Sequence, residues 1–236
     1  MRRLLFVVFG IVALASSGSV RAAMIPPTTP VAGISQATLA DQWWEWILST
    51  PASINPLTND PTGALAGVNN TGPVFFLAGS TGGGFATRNI SVPAGTPLFF
   101  PLINQIDLEL SPSVAASIGA STCQGEPNPY QCALAFIPPQ TPGNLIATLN
   151  GTPLDPNLNS DFAAYFQQSS ALVPVNLPPG NIFGLPADPG AEFVQNGYYM
   201  ALEGLTPGTY TLVFGDLAGG FGAIDTITNP SVKYVT

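Results

Sequence analysis

Gly197–Asp216, GYYMALEGLTPGTYTLVFGD, is the stretch that decides the fold class. Two apolar runs flank Thr206-Pro207-Gly208-Thr209, and downstream Tyr210, Leu212 and Phe214 alternate with Thr209, Thr211 and Val213. A period of two marks a strand with one face in a core. Pro207 presets its own φ, and Gly208 suits the positive φ at the third position of a type II turn. That turn splays its flanking strands, so the spacing predicts a corner between strands rather than a tight hairpin. The Tyr210 hydroxyl is then expected to bond back to nearby backbone, as in a tyrosine corner. The stretch predicts a mainly β chain folded as an antiparallel β-sandwich.

The rest of the chain fits one such domain. Of 236 residues, 46% are hydrophobic and only 8% charged, which supports a packed core and excludes a disordered chain. Glycine and proline, at 25 each, call for many turns that long helices would not tolerate. Residues 1–22 read as a secretory signal peptide. Arg2 and Arg3 precede an apolar run, Leu4–Leu14, too short to span a bilayer, and Val20 and Ala22 occupy the small-residue positions of a cleavage site. Residues 23–34 are an extended lead-in, and 35–236 form the single sandwich domain. The product is expected to be secreted or periplasmic, with no membrane span in the mature chain.

Removal of the leader leaves Arg88 and Lys233 as the only cations against thirteen acids. Nucleic acid and anionic membranes are therefore poor partners, because neutralising phosphates requires Lys and Arg, and no nucleic-acid role is expected. Cys123 and Cys132 lie close together in a Pro- and Gly-rich segment of an exported chain. They are expected to form a local disulfide stapling a loop at about 111–143, worth roughly 2–3 kcal/mol.

Ser35 caps a predicted helix over 36–49. Leu39, Trp43, Trp46 and Ile47 share one side, Ala40, Trp44 and Leu48 lie beside them, and Asp41, Gln42, Glu45 and Ser49 oppose. So wide an apolar arc packs the helix on a sheet, and Trp44, at its edge, is the indole expected to be most exposed. Strands are predicted at 73–78, 85–92, 97–103, 144–149, 171–177 and 224–234. Asn150-Gly151 is a hairpin dipeptide. Gly79–Gly84, GSTGGG, lacks the Lys-Ser/Thr ending of a phosphate loop and reads as an ordinary loop. Beyond the third strand, Asp107 and Glu109 would share a face at i and i+2 if the extended conformation continues.

Four blocks in order, QWWEWILSTPASINPL, GPVFFLAG, ISVPAGTPLFFPLIN and NGYYMALEGLTPGTYTLVFGD, resemble a family of uncharacterised secreted bacterial proteins over most of residues 40–216. The resemblance implies export and a jelly-roll-like sandwich with a Trp-rich N-terminal helix, and it brings no catalytic residues. Where the family often has histidine after the Pro-Gly corner, this chain has Tyr210.

The chain contains no histidine, which excludes Ser-His-Asp and Cys-His catalysis and histidine-bound zinc. Carboxylate chemistry remains, with Asp107, Glu109, Glu203, Asp216 and Asp225 as candidates for a polysaccharide hydrolase. The favoured reading is a non-catalytic exported module. It would bind a glycan or protein surface through Asp107, Glu109 and Trp44, needing no cofactor, though a Ca²⁺ held by Asp107, Glu109 or other loop acids and carbonyls is compatible. A structural envelope or matrix role is the third class.

Overall fold

The computed structural model describes residues 22–82 and 84–229; the predicted signal peptide and the last predicted strand residues, 230–234, lie outside them. In chain order the elements are β1 (Ala23–Ile25), α1 (Gln36–Leu48), β2 (Phe75–Phe76), β3 (Ala86–Ser91), β4 (Leu98–Glu109), α2 (Pro112–Ile118) and α3 (Pro129–Leu134). Then come β5 (Leu145–Leu149), β6 (Thr152–Pro153), β7 (Phe166–Gln168), β8 (Val173–Leu177), β9 (Asp188–Glu203), β10 (Gly208–Asp216) and β11 (Phe221–Asn229).

These strands form two sheets. Along one, β1, β9, β4 and β2 are neighbours, with β7 and β8 also pairing with β9; the other runs β3-β11-β10-β5-β6. Both are mixed rather than purely antiparallel, because β2 pairs with β4 and β3 with β11 in parallel. Leu98, Phe100, Met200 and Leu202 of the first sheet meet Leu212, Phe214, Ala223 and Ile227 of the second in one buried cluster. Phe100 and Phe214 join the sheets at a ring separation of 4.6 Å.

The corner behaves as its sequence requires in one respect and differs in another. β9 and β10 lie in different sheets, and the Tyr210 hydroxyl donates to the Thr206 carbonyl oxygen at 3.0 Å. Gly208, however, starts β10 with φ of 159°, and it is Gly204 that takes the left-handed conformation, at 74°. The change of sheet is made before the Pro-Gly pair, so no type II turn is needed there. Asn150 and Gly151 do take the two positive φ values of a type I′ hairpin turn, 51° and 77°. The returning strand is the short β6; predicted strand 171–177 becomes β8 and pairs with β9 instead.

β4 is longer than predicted and carries a β-bulge. Pro101 pairs with Tyr199 and Ile103 with Tyr198, leaving Leu102 as the extra residue. Before the bulge Leu98, Phe100 and Leu102 join the inter-sheet cluster; after it Ile103 does so, while Ile106, Leu108 and Leu110 join the cluster under α1. One inserted residue reverses which parity faces which side. Asp107 and Glu109 are thereby turned away from α1.

α1 is capped by Ser35, whose hydroxyl accepts from Thr38 N at 3.1 Å. Trp43, Trp46 and Ile47 cluster with Val175, Leu177 and Phe193. Trp44 is the most exposed of the three indoles, but at 7% against 5% for Trp46 and 1% for Trp43 it is buried all the same. The loops carrying Leu57 and Gly79–Thr81 close over this end of the helix, and a helical projection contains no information about them.

Candidate functional site

The extended backbone of β4 does continue through Asp107 and Glu109, so their side chains share a face. They open into a cleft of about 390 Å³ lined also by Ser121, Thr122, Glu126, Phe136 and the Cys123–Cys132 disulfide. That disulfide joins residues nine apart, with Cα atoms at 5.7 Å. It closes a segment containing α3, which lies over the part of β4 and β9 that the five-stranded sheet does not reach.

Polar side chains of β4 and β9 fasten down the residues that follow α3. Asn196 Nδ2 donates to Ile137 O at 2.6 Å, and Gln105 Nε2 to Pro138 O at 2.6 Å. The Tyr198 hydroxyl donates to Gln140 O at 2.8 Å. Glu109, 4% exposed, accepts from the Thr122 hydroxyl at 2.8 Å and from Cys123 N. Glu109 thus anchors the floor of the cleft. Asp107 is half-buried at its open side.

The two carboxyls stand two residues apart on one strand face and line the same cleft. Burial first, and then the neighbouring Glu109 carboxyl, push Asp107 up to about 7. Asp107 Oδ2 is buried and has no hydrogen-bond partner.

This has a measurable consequence. Asp107 stays protonated to about pH 7 in the folded chain but only to about pH 4 unfolded, so folding binds a proton between those values. Stability therefore falls as pH rises from about 4 to about 7 and stays at the lower level above. Asp107→Asn removes that fall, since an amide stays uncharged at every pH. Its Tm is expected to exceed wild type at pH 8 and match it at pH 4. Equal shifts at both pH values would mean that Asp107 is ionised throughout.

The other acids do not join the pair. Burial works to raise Asp216, but backbone N–H groups of Gly143, Asn144, Ala218 and Gly219 outweigh it and hold the carboxyl below its usual range. Glu203 is exposed at the end of β9. Asp225 is ion-paired with Arg88 at 2.9 Å. Trp44 lies instead beside a separate cavity with Asn104. Among the described residues no three acids or cysteines gather to hold a metal, and calcium takes roughly 6–8 oxygens, so the acid pair alone is a poor calcium site.

Comparison adds no relative. No family model matches the chain, and no curated protein or solved structure is recognisably similar to it.

Two features escaped the sequence reading. One is the contribution of Phe136, Ser121 and Thr122 to the acid cleft. The other is a buried hydrogen-bonded chain near α1. Ser169 and Gln195 both donate to Asp41 Oδ1, at 2.7 and 3.1 Å. Tyr199 donates to Gln195 Oε1 at 2.8 Å, and Asn104 to Tyr199 at 3.1 Å. Burial raises both Asp41 and the Tyr199 hydroxyl. A polar residue at each of 195, 196 and 199 within so apolar a strand was the available signal.

Proposed function

We propose that this chain is an exported, non-catalytic binding module, a jelly-roll-like sandwich with α1 laid on it, that holds a glycan in the Asp107–Glu109 cleft. The observation that carries this is the pairing of two carboxyls beside Phe136, an aromatic ring that is 69% exposed. A carboxylate accepts charge-assisted hydrogen bonds from sugar hydroxyls, while the apolar face of a pyranose can cover an aromatic ring. Ser121 and Thr122 add polar edges to the same cleft.

Export is supported by the Cys123–Cys132 disulfide and the N-terminal sequence, and among the described residues no helix is long and apolar enough to cross a membrane. The likeness to secreted bacterial proteins belongs to the same proposal. Arg88, the one cation among the described residues, is buried, which supports no role with nucleic acid. The alternative, a carboxylate-dependent polysaccharide hydrolase, would use Asp107, pushed up to about 7, as its protonated acid.

The test is a soluble oligosaccharide array followed by calorimetry. Phe136→Ala and Asp107→Asn are each expected to weaken binding about tenfold. Phe136→Ala should leave the Tm unchanged because the ring is so exposed. Release of reducing sugar would overturn the non-catalytic reading. Failure to bind any oligosaccharide, combined with capture of a protein or concentration-dependent assembly, would replace the glycan by a protein partner or a structural role.

A further inference from the structure

We propose that Ser169 and Gln195 are joined by an intramolecular ester, made within the folded chain from the serine hydroxyl and the glutamine carboxamide with release of ammonia. The two residues face each other across neighbouring strands. Gln168 of β7 pairs with Asn196 of β9, and at the next position the Ser169 N–H donates to the Gln195 carbonyl at 3.0 Å. Directly opposed residues hold their Cβ atoms about 4.5–5.5 Å apart, and an extended ester from Ser169 Cβ through Oγ, Cδ and Cγ to Gln195 Cβ fits that gap. Both side chains turn toward α1, where each meets the Asp41 carboxylate.

Every role in acyl transfer is filled by a group already in place. Ser169 Oγ donates to Asp41 Oδ1 at 2.7 Å, so Asp41 takes the proton as Oγ adds to Gln195 Cδ. The Tyr199 hydroxyl donates to Gln195 Oε1 at 2.8 Å and holds the negative charge that gathers there. Gln195 Nε2 donates to the same Asp41 oxygen at 3.1 Å, so the proton passes from Asp41 to the departing nitrogen. One C–O bond forms and one C–N bond breaks; hydroxyl and carboxamide become ester and ammonia, with nothing oxidised or reduced. Burial raises Asp41, which makes it a better base than a surface carboxylate. Ser169 and Gln195 are 1% and 0% exposed, which keeps out the water that would hydrolyse the ester. Asp41 is only half-buried and gives ammonia a way out. Groups held in this way react at very high effective concentration, and ammonia that escapes is protonated and diluted, which draws the exchange toward the ester.

This link is independent of the acid cleft and can be tested by itself. The purified chain is denatured, its disulfide reduced, and the polypeptide cut after glutamate for mass spectrometry. Ser169 lies between Glu126 and Glu192, and Gln195 between Glu192 and Glu203, so cleavage puts them on separate peptides unless they are joined. The expected result is a joined product lighter than its two parts by one ammonia, which hydroxylamine splits into a free Ser169 peptide and a hydroxamate at Gln195. Ser169→Ala should give two separate peptides of full mass, and Asp41→Asn should leave most of the chain unjoined. The wild-type digest decides the matter even where a variant folds poorly: separate peptides of full mass would overturn the proposal. So would an ammonia loss that persists in Ser169→Ala, or joining as complete in Asp41→Asn as in the wild type.

Discussion

Arg88→Ala is expected to destabilise the chain by about 3–5 kcal/mol in urea denaturation, the range for removing one partner of a buried ion pair. Arg88 and Asp225 are 2% and 0% exposed. They face each other in the parallel β3–β11 register, on the side of Ala86, Ile90, Ala223 and Ile227. The guanidinium donates to both carboxylate oxygens, at 2.9 and 3.2 Å, and also to the carbonyls of Ala78, Pro56 and Gly79. One side chain therefore ties the loops preceding β3 to the second sheet. Alanine leaves a buried carboxylate and three carbonyls without that donor.

The pH dependence separates this account from simple loss of packing. Burial already raises Asp225 to about 6, with Arg88 opposing it. Without the guanidinium the folded carboxyl rises further, so folding of the variant takes up a proton over a wider range above about pH 4. The variant's deficit is expected to be smaller at pH 5 than at pH 8. A deficit independent of pH would mean that the ion pair contributes nothing. Arg88→Met with Asp225→Leu should recover much of the loss, because an apolar pair carries no desolvation cost.

Trp43→Ala is the second large effect, again about 3–5 kcal/mol, the usual cost of truncating a buried tryptophan. Trp43 is 1% exposed and packs edge-on against Trp44 at 5.0 Å and Trp46 at 6.3 Å. Its indole N–H also holds the Leu77 carbonyl, directly after β2. The change removes contacts within α1 and between α1 and Leu77. Denaturant midpoints should fall with an unchanged m-value, whereas Ile54→Ala, at 41% exposure, should shift stability by less than about 0.5 kcal/mol. A Trp43→Ala loss no greater than that of Ile54→Ala would show that α1 is only loosely held.

Several elements were legible because the information is local. The Ser35 cap, the period of α1, the alternation in β10, the Asn150-Gly151 turn and the Tyr210 back-bond each involve residues within a few positions of one another. The pairing of Cys123 with Cys132 belongs to the same group. Asp107 and Glu109 could be placed on one face for the same reason. The burial of Arg88 and Asp225 was nearly legible: each sits two residues from an apolar neighbour in strands that alternate, and the pattern alone puts both inside.

What the amino-acid sequence determined by itself was the class of chain: mainly β, poor in cations, devoid of histidine, and carrying two carboxyls on one strand face. Only the tertiary structure decided where those carboxyls look. The extra residue Leu102 reverses the strand's parity, and the disulfide and Phe136, four residues beyond it, then line the cleft into which the acids open. Tertiary contact likewise buried Trp44 beneath loops distant in sequence. The physical reason is common to both: strand and helix periods fix direction relative to the local backbone, while bulges and covering loops depend on partners far along the chain.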